Sequence, residues 1–347
     1  MTNSGTKFYH RYKVLANTTN PFYRTASGSR VVESALKLAQ GFSAAKFADG
    51  KRSNAIVEPQ QMVIIDEAGN NTLSHSTCPA FENASPSWND SAEAVWARIF
   101  VPPIQSRLNT ALPGANLDIP DTINLMDLCP FETIASPTGQ ISPICNLFTP
   151  LEWKQYDYYQ SLNKYYGYHV GAALGPTQGI GFVNELIARL TSRPVLDHTN
   201  TNSTLDKDEK TFPLERSLYA DFSHDNDMVS IFAAMGLWNV SVTEPLSKTE
   251  WKLPAEMGGW SASWSVPFAG RVYVEKLVCG GGEPKDGAGD TNTKEMVRIL
   301  VNDRVIPLPN CGDGAEYAGL GMCEVDKWIE SLEFVRSGGR WDDCYAN

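Results

Sequence analysis

Basic residues are in short supply in this 347-residue chain: 29 Lys and Arg stand against 40 Asp and Glu, a formal charge of −11. No dense Lys/Arg cluster occurs, which argues against nucleic acid as a partner. No apolar run approaches the ~20 residues that a spanning helix needs, so no membrane partner is expected. Residues 1–20 lack the apolar core of a signal peptide, so the chain as written carries no export leader. The seven cysteines form no CxxC and no zinc spacing, and neither a metal nor a cofactor is expected. The glycine-rich stretch from Gly280 to Thr293 lacks the Gly-Lys-Ser/Thr ending of a nucleotide loop and reads as a hairpin loop. No internal repeat is present.

What the chain does hold is Asp221-Phe222-Ser223-His224-Asp225-Asn226-Asp227. It follows the apolar run Leu218-Tyr219-Ala220 and precedes a helical pattern from Met228 to Trp238. The pattern is strand, sharp turn, helix, which puts the turn at the carboxyl end of a sheet strand, where open α/β sheets bind ligands. A His-Asp pair there can hold an anion and give a proton to a leaving group. Taken alone, the segment is better explained as a helix cap by Asp225 or Asn226.

A second stretch, Pro21 to Ser34, opens a helix expected to run to about Phe47. Val31, Val32, Ala35, Leu38, Ala39 and Phe42 give it an apolar face near the 3.6 period. Ser27 or Ser29 is the expected N-cap. Arg30 then falls in the first turn, where a cation faces the positive end of the helix dipole. An anion nearby would reverse that cost, since a helix N-terminus with an added arginine suits a phosphate. Relief by Glu33 at i+3 is the plainer alternative.

Together and in this order, these stretches resemble the histidine acid phosphatases, and among them the fungal phytases. The likeness extends over essentially the whole chain. It includes Asn3 to Tyr9, Arg24 to Arg30, Leu125-Met126-Asp127-Leu128-Cys129, and Tyr156-Asp157-Tyr158 with Gln160-Ser161-Leu162. It continues through Leu174 to Gly179, Asn184 to Thr191, Tyr219 to Asn226, Val301 to Val305 and Ser337-Gly338-Gly339. The resemblance implies a two-step mechanism. A histidine in an Arg-His-Gly-x-Arg-x-Pro segment attacks phosphorus, the aspartate of the His-Asp pair protonates the leaving alcohol, and water releases phosphate. By the match, Asp225 is the proton donor, His224 a phosphate ligand and Arg30 a phosphate-binding arginine.

The chain departs from the family at one point. Its five histidines are His10, His75, His169, His198 and His224, and none lies in an Arg-His-Gly segment. That segment is expected upstream of the region resembling Met1. The chain therefore reads as N-terminally truncated, beginning at an internal methionine without its secretion signal, nucleophile motif and several substrate-binding lysines. Turnover by the chain as written is correspondingly in doubt.

The odd cysteine count points to an unpaired thiol or a missing partner. The resemblance implies Cys129–Cys145, Cys311–Cys323 and Cys78–Cys344, which leaves Cys279 alone. Each local bridge would stabilise by roughly 3 kcal/mol in the loop-entropy model. Asn-x-Ser/Thr sequons stand at Asn17, Asn70, Asn83, Asn89, Asn202 and Asn239. With a disulfide set they favour a secreted glycoprotein for the complete protein.

The implied fold is α/β: a doubly wound mixed sheet flanked by helices, with an inserted smaller helical domain and without its N-terminal nucleophile strand. Residues 1–67 read as the first part of the α/β domain and 68–172 as the mainly helical insertion. Residues 173–347 read as the second α/β part, with the His-Asp motif. A strand is expected at 62–66, and two more near 267–278 and 296–302. The aromatic cluster from Trp153 to Tyr166 reads as helix packing rather than a sugar platform.

The family's phytate pocket maps onto Glu93, Asp127, Asn163 and Lys164. Close relatives carry two adjacent lysines where this chain has Asn163-Lys164, which weakens one phosphate contact by about 1–3 kcal/mol if desolvated. The reading is a phosphomonoesterase acting on phytate through a phosphohistidine in the complete protein, without cofactor and as a monomer. The alternatives are a broad-specificity acid phosphatase and an inactive phosphate-binding secreted glycoprotein.

Overall fold

The computed structural model describes residues 1–50, 62–84, 86–238, 245–280, 293–308, 311, 320–346. The expected hairpin loop and the Asn239 sequon lie outside the described residues. In chain order the helices are α1 (Thr2–Arg11), α2 (Lys13–Ala16), α3 (Ser29–Ala48), α4 (Pro79–Asn83), α5 (Ala92–Ala111), α6 (Ile119–Ala135) and α7 (Pro150–Tyr168). They continue as α8 (Gly175–Gln178), α9 (Ile180–Thr191), α10 (Ser203–Asp206), α11 (Asp225–Ala234), α12 (Ala262–Ser265), α13 (Val325–Ser331) and α14 (Glu333–Arg336). The strands are β1 (Phe22–Ala26), β2 (Val63–Ile65), β3 (Tyr219–Phe222), β4 (Val272–Cys279), β5 (Lys294–Val301), β6 (Arg304–Val305) and β7 (Met322–Glu324). The chain divides into two compact units, one of residues 1–84, 168–240 and 266–347, the other of 85–167 and 241–265.

In the first unit, β1 lies between β2 and β3 in a parallel sheet. β1 went unread in the sequence because the helical pattern that follows it dominates the Pro21–Ser34 stretch. Its last four residues are buried, so it shows a continuous inward run rather than alternation. α3 covers the sheet with Val31, Ala35 and Ala39, which join Tyr23, Ala26, Ile65, Leu73 and Phe222 in one core cluster. α1 packs on α3 at close range. A side chain added at Gly5 would come within 2.0 Å of the Leu38 carbonyl, and one at Gly41 within 2.0 Å of that of Thr2. Only glycine permits that approach.

The antiparallel strands form a second sheet, with β5 paired to β4, β6 and β7. Asn302 and Asp303 join β5 to β6 with φ of 49° and 66°, the geometry a two-residue hairpin favours.

The second unit is helical. α5 is capped by the Ser91 hydroxyl, which accepts from the Ala94 amide at 3.2 Å, and α6 by the reciprocal box of Asp118 and Asp121. Tyr158, Tyr159, Leu162 and Tyr165 form the buried face of α7. Tyr158 meets Trp96 edge-on with ring centres 5.7 Å apart, so the tyrosines pack helices together.

Three disulfides close Cys78–Cys344, Cys129–Cys145 and Cys311–Cys323, and Cys279 is the free cysteine.

Candidate active site

Strand register gathers three polar turns at one edge of the parallel sheet. Thr25 pairs with Phe222 and Ala26 with Ile65, so β1, β2 and β3 end together. Ser27-Gly28 leads from β1 into α3, Asp66-Glu67 follows β2, and Ser223-His224 leads from β3 into α11. Carboxyl edges of this kind are where α/β sheets place their ligands.

The caps differ from those expected. Gly28 is the N-cap of α3, and neither Ser27 nor Ser29 supplies a capping side chain. Instead the Glu67 carboxylate accepts from the Gly28 amide at 2.9 Å, while the Glu67 amide donates to Ser27 Oγ at 3.3 Å. The anion that complements the α3 dipole is thus an acidic side chain from the neighbouring turn. Asp225 and Asn226 do not cap α11 either. His224 takes the N-cap position, without a side-chain cap bond, and Asp225 opens the helix as an exposed carboxylate. The helix starts one residue earlier than a capping Asp225 requires, which leaves Asp225 facing outward in the first turn.

His224 is two-thirds enclosed and carries a carboxylate on each ring nitrogen. Asp227 Oδ2 lies 3.0 Å from Nδ1, and Glu67 Oε1 lies 3.6 Å from Nε2. The hydrogen bond to Asp227 raises the imidazole pKa above its ordinary value against the opposing effect of burial, and the charges of Asp227, Glu67 and Asp225 add to it. Arg30 is exposed in the first turn of α3. Among the described residues it forms no ion pair within 4 Å, so the relief expected from Glu33 is not made. Arg30 and His224 therefore stand at the starts of α3 and α11, which follow adjacent strands of one sheet.

Beneath this edge a buried ionic cluster ties β1 to β3. Arg24 reaches Asp221 at 2.9 Å and Glu185 at 2.6 Å, and Arg189 meets the other side of Asp221 at 2.5 Å. The Ser223 hydroxyl donates to the Leu73 carbonyl at 2.7 Å, fastening the 71–75 turn beside the end of β3. The Asn71 side chain orders that turn by accepting from the Leu73 amide at 2.8 Å.

In the helical unit, Asn163 Nδ2 donates to Glu93 Oε1 at 3.1 Å, bringing two of the four expected pocket residues together. Asp127 is engaged separately. The Tyr156 hydroxyl donates to it, and Gln160 Nε2 donates at 3.3 Å. Burial raises the Asp127 pKa, which the bond from Tyr156 partly offsets. Lys164 follows Asn163 on α7, half-buried.

The sequence reading missed Glu67, Asp227 and His75 as members of this neighbourhood. For Glu67 the signal was present, because it directly follows the strand expected at 62–66. Asp227 stood inside the quoted motif but was given no role. His75 had no signal, since only the folded 71–75 turn carries it to α11.

A parallel sheet with a His-Asp turn and an arginine-bearing helix N-terminus at its carboxyl edge defines an α/β protein with polar turns gathered where such sheets place ligands. The chain belongs to the histidine phosphatase superfamily (branch 2), whose family model matches residues 1–302. It is 50% identical over 352 residues to Phytase A of Emericella nidulans, covering 100% of this chain and 71% of that protein. It is 49% identical over 351 residues to Phytase A of Aspergillus oryzae, again covering 100% and 71%. Among solved structures, the phytase from D. castellii superposes with a TM-score of 0.70 at 23% identity, covering 100% of this chain and 65% of that one. That last likeness bears on the fold.

Proposed function

We propose that this chain carries the proton donor and phosphate ligands of a secreted phosphomonoesterase acting on phytate. What supports the reading is strand register, by which the His224-Asp225 turn and the Arg30-bearing start of α3 follow adjacent strands that end at one sheet edge. The substrate class rests on the Phytase A relatives. Secretion is supported by the sequons and the three disulfides.

In this reading His224, charged and held by Asp227, binds a phosphoryl oxygen through Nε2, and Arg30 neutralises a second oxygen. Asp225, exposed in the first turn of α11, gives its proton to the departing alcohol oxygen. Attack on phosphorus needs an imidazole in an Arg-His-Gly setting, which these 347 residues do not contain.

The test is phytate binding to the Met1–Asn347 polypeptide by calorimetry at pH 5, alongside phosphate release. Saturable binding is expected, weakened about tenfold or more by Arg30→Ala or His224→Ala, as for loss of a charge-assisted hydrogen bond. Phosphate release should stay at background, because no Arg-His-Gly segment occurs among these residues. Phytate turnover by this polypeptide that vanishes in Asp225→Asn would overturn the assignment of the nucleophile elsewhere. Binding indifferent to both substitutions would overturn the site.

A further inference from the structure

Asp227 is a buried carboxylate, 4% exposed, in the first turn of α11. Its Oδ2 takes His224 Nδ1 at 3.0 Å. Its Oδ1 is also buried and accepts no hydrogen bond among the described residues. The group facing Oδ1 is His75 Nε2, 3.9 Å away. On its far side, His75 Nδ1 meets Glu82 Oε1 at 2.7 Å. The His75 ring is wedged against Phe81 and Tyr168, with ring centres 5.5 and 5.6 Å apart. Together with Glu67 on His224 Nε2 at 3.6 Å, the side chains alternate carboxylate and imidazole: Glu67, His224, Asp227, His75, Glu82.

We infer that Asp227 is the positioning residue of the phosphate-holding histidine. It fixes the His224 proton on Nδ1 and aims Nε2 at the anion position, while His75 shares the same carboxylate from the other side. The inference rests on the phosphate role proposed for His224 and assigns that role its support. The physical ground is the cost of burying a carboxylate. Asp227 has one hydrogen-bonded oxygen and one bare oxygen, so it is stable in that place only with positive charge beside it. His224 supplies that charge from 3.0 Å, and the His75 ring stands 3.9 Å from the bare oxygen. An imidazole whose Nδ1–H is committed to a carboxylate keeps its ring orientation and presents Nε2 outward.

The charged groups facing His224 are Glu67 from the turn after β2, with Asp225 and Asp227 from its own helix. His75 and Glu82 act on it through Asp227. Replacing Asp227 by Asn keeps the shape and removes the charge, so the imidazolium of His224 loses its main support. Replacing His75 by Gln leaves Asp227 to His224 alone, so the imidazolium gains support. The two variants therefore shift His224 in opposite directions, which general loosening of the turn would not do.

The experiment is ¹⁵N-detected imidazole spectroscopy of the Met1–Asn347 polypeptide across pH, with orthophosphate affinity measured in parallel. In the unsubstituted protein, neutral His224 should carry its proton on Nδ1. In Asp227→Asn its titration midpoint should fall and the Nδ1 tautomer preference should be lost. Orthophosphate binding should weaken by about tenfold at pH 7.5 and by less at pH 5, where more of His224 is protonated in either protein. In His75→Gln the midpoint should rise. If Asp227→Asn does not fold, His75→Gln decides, since His75 is partly exposed and its loss leaves no buried carboxylate without His224. An unchanged His224 midpoint and tautomer in the folded variants would overturn the inference. Absence of orthophosphate binding in the unsubstituted protein would count against the phosphate reading alone, because the spectra report on Asp227 without a ligand.

Discussion

Arg24 and Asp221 face each other in register on adjacent parallel strands, with Arg24 Nε 2.9 Å from Asp221 Oδ1. Arg24 is shut away from water and Asp221 is largely enclosed, and the cluster is completed by Glu185 and Arg189. Burial alone would raise the Asp221 pKa, but the charges of Arg189 and Arg24 outweigh it and hold the carboxyl well below the usual range. The Phe212 ring lies 5.0 Å from the Arg24 guanidinium and 4.8 Å from that of Arg189. This charge cluster locks the two strands whose ends carry the candidate site.

Truncating one member should therefore be costly. Arg24→Met keeps the length of the side chain but leaves Glu185 without its cation. Breaking a buried pair from one side costs about 3–5 kcal/mol. Urea unfolding should show a loss of that order, and a change under about 1 kcal/mol would mean that the cluster does not fasten β1 to β3.

Asp206 closes α10 near Glu185. Burial and then the Glu185 charge push its pKa up to about 7, from an ordinary value of 3.8. A carboxyl whose folded pKa is raised favours folding while it is protonated. Its stabilisation is complete below about pH 4 and is lost as pH rises towards 7. Asp206→Asn mimics the protonated form at every pH. The variant should match the unsubstituted protein in melting temperature at pH 4 and exceed it at pH 8. Equal melting temperatures at pH 8 would show that Asp206 is not strained by Glu185.

His169 has the opposite sign. It is fully buried, with Nε2 3.1 Å from the Leu237 carbonyl. Burial lowers its pKa to about 4, only partly offset by that backbone contact. The unfolded chain takes up this proton near pH 6.5, whereas the folded protein resists it until about pH 4. Stability from this group is present above 6.5 and is lost as pH falls through that window. His169→Gln should flatten the fall in urea midpoint between pH 6.5 and 4. A fall as steep as before would place the acid sensitivity in other groups.

The α/β class and the strands at 62–66, 267–278 and 296–302 were legible because their hydrophobic patterns are local. The His-Asp turn was legible because strand, turn and helix follow one another in sequence. β1 was not, because a strand buried on both faces lacks alternation and runs into a strongly periodic helix. The caps were misread for a related reason. A serine before a helix ordinarily caps it, but here Glu67, 39 residues away from Gly28 along the chain, takes the place. The pairing of Asp227 with His75 depends on the Asn71-ordered turn, so no spacing rule could reveal it.

Glu67 offers the last test. Its carboxylate holds the Gly28 amide at 2.9 Å and stands 3.6 Å from His224 Nε2, so it occupies the donors that an incoming phosphate would use. Two like charges about 4 Å apart repel by about 1 kcal/mol in water and about 4 kcal/mol in a protein-like medium. Glu67→Gln keeps an acceptor for the Gly28 amide and removes the repulsion. Glu67 also helps keep His224 charged, but its contribution ranks below that of Asp227, and acidic pH further favours the imidazolium. Orthophosphate should therefore bind Glu67→Gln at pH 5 on the order of tenfold more tightly than the unsubstituted protein. Weaker binding in the variant would show that Glu67 assists the anion, by orienting His224, rather than competing with it.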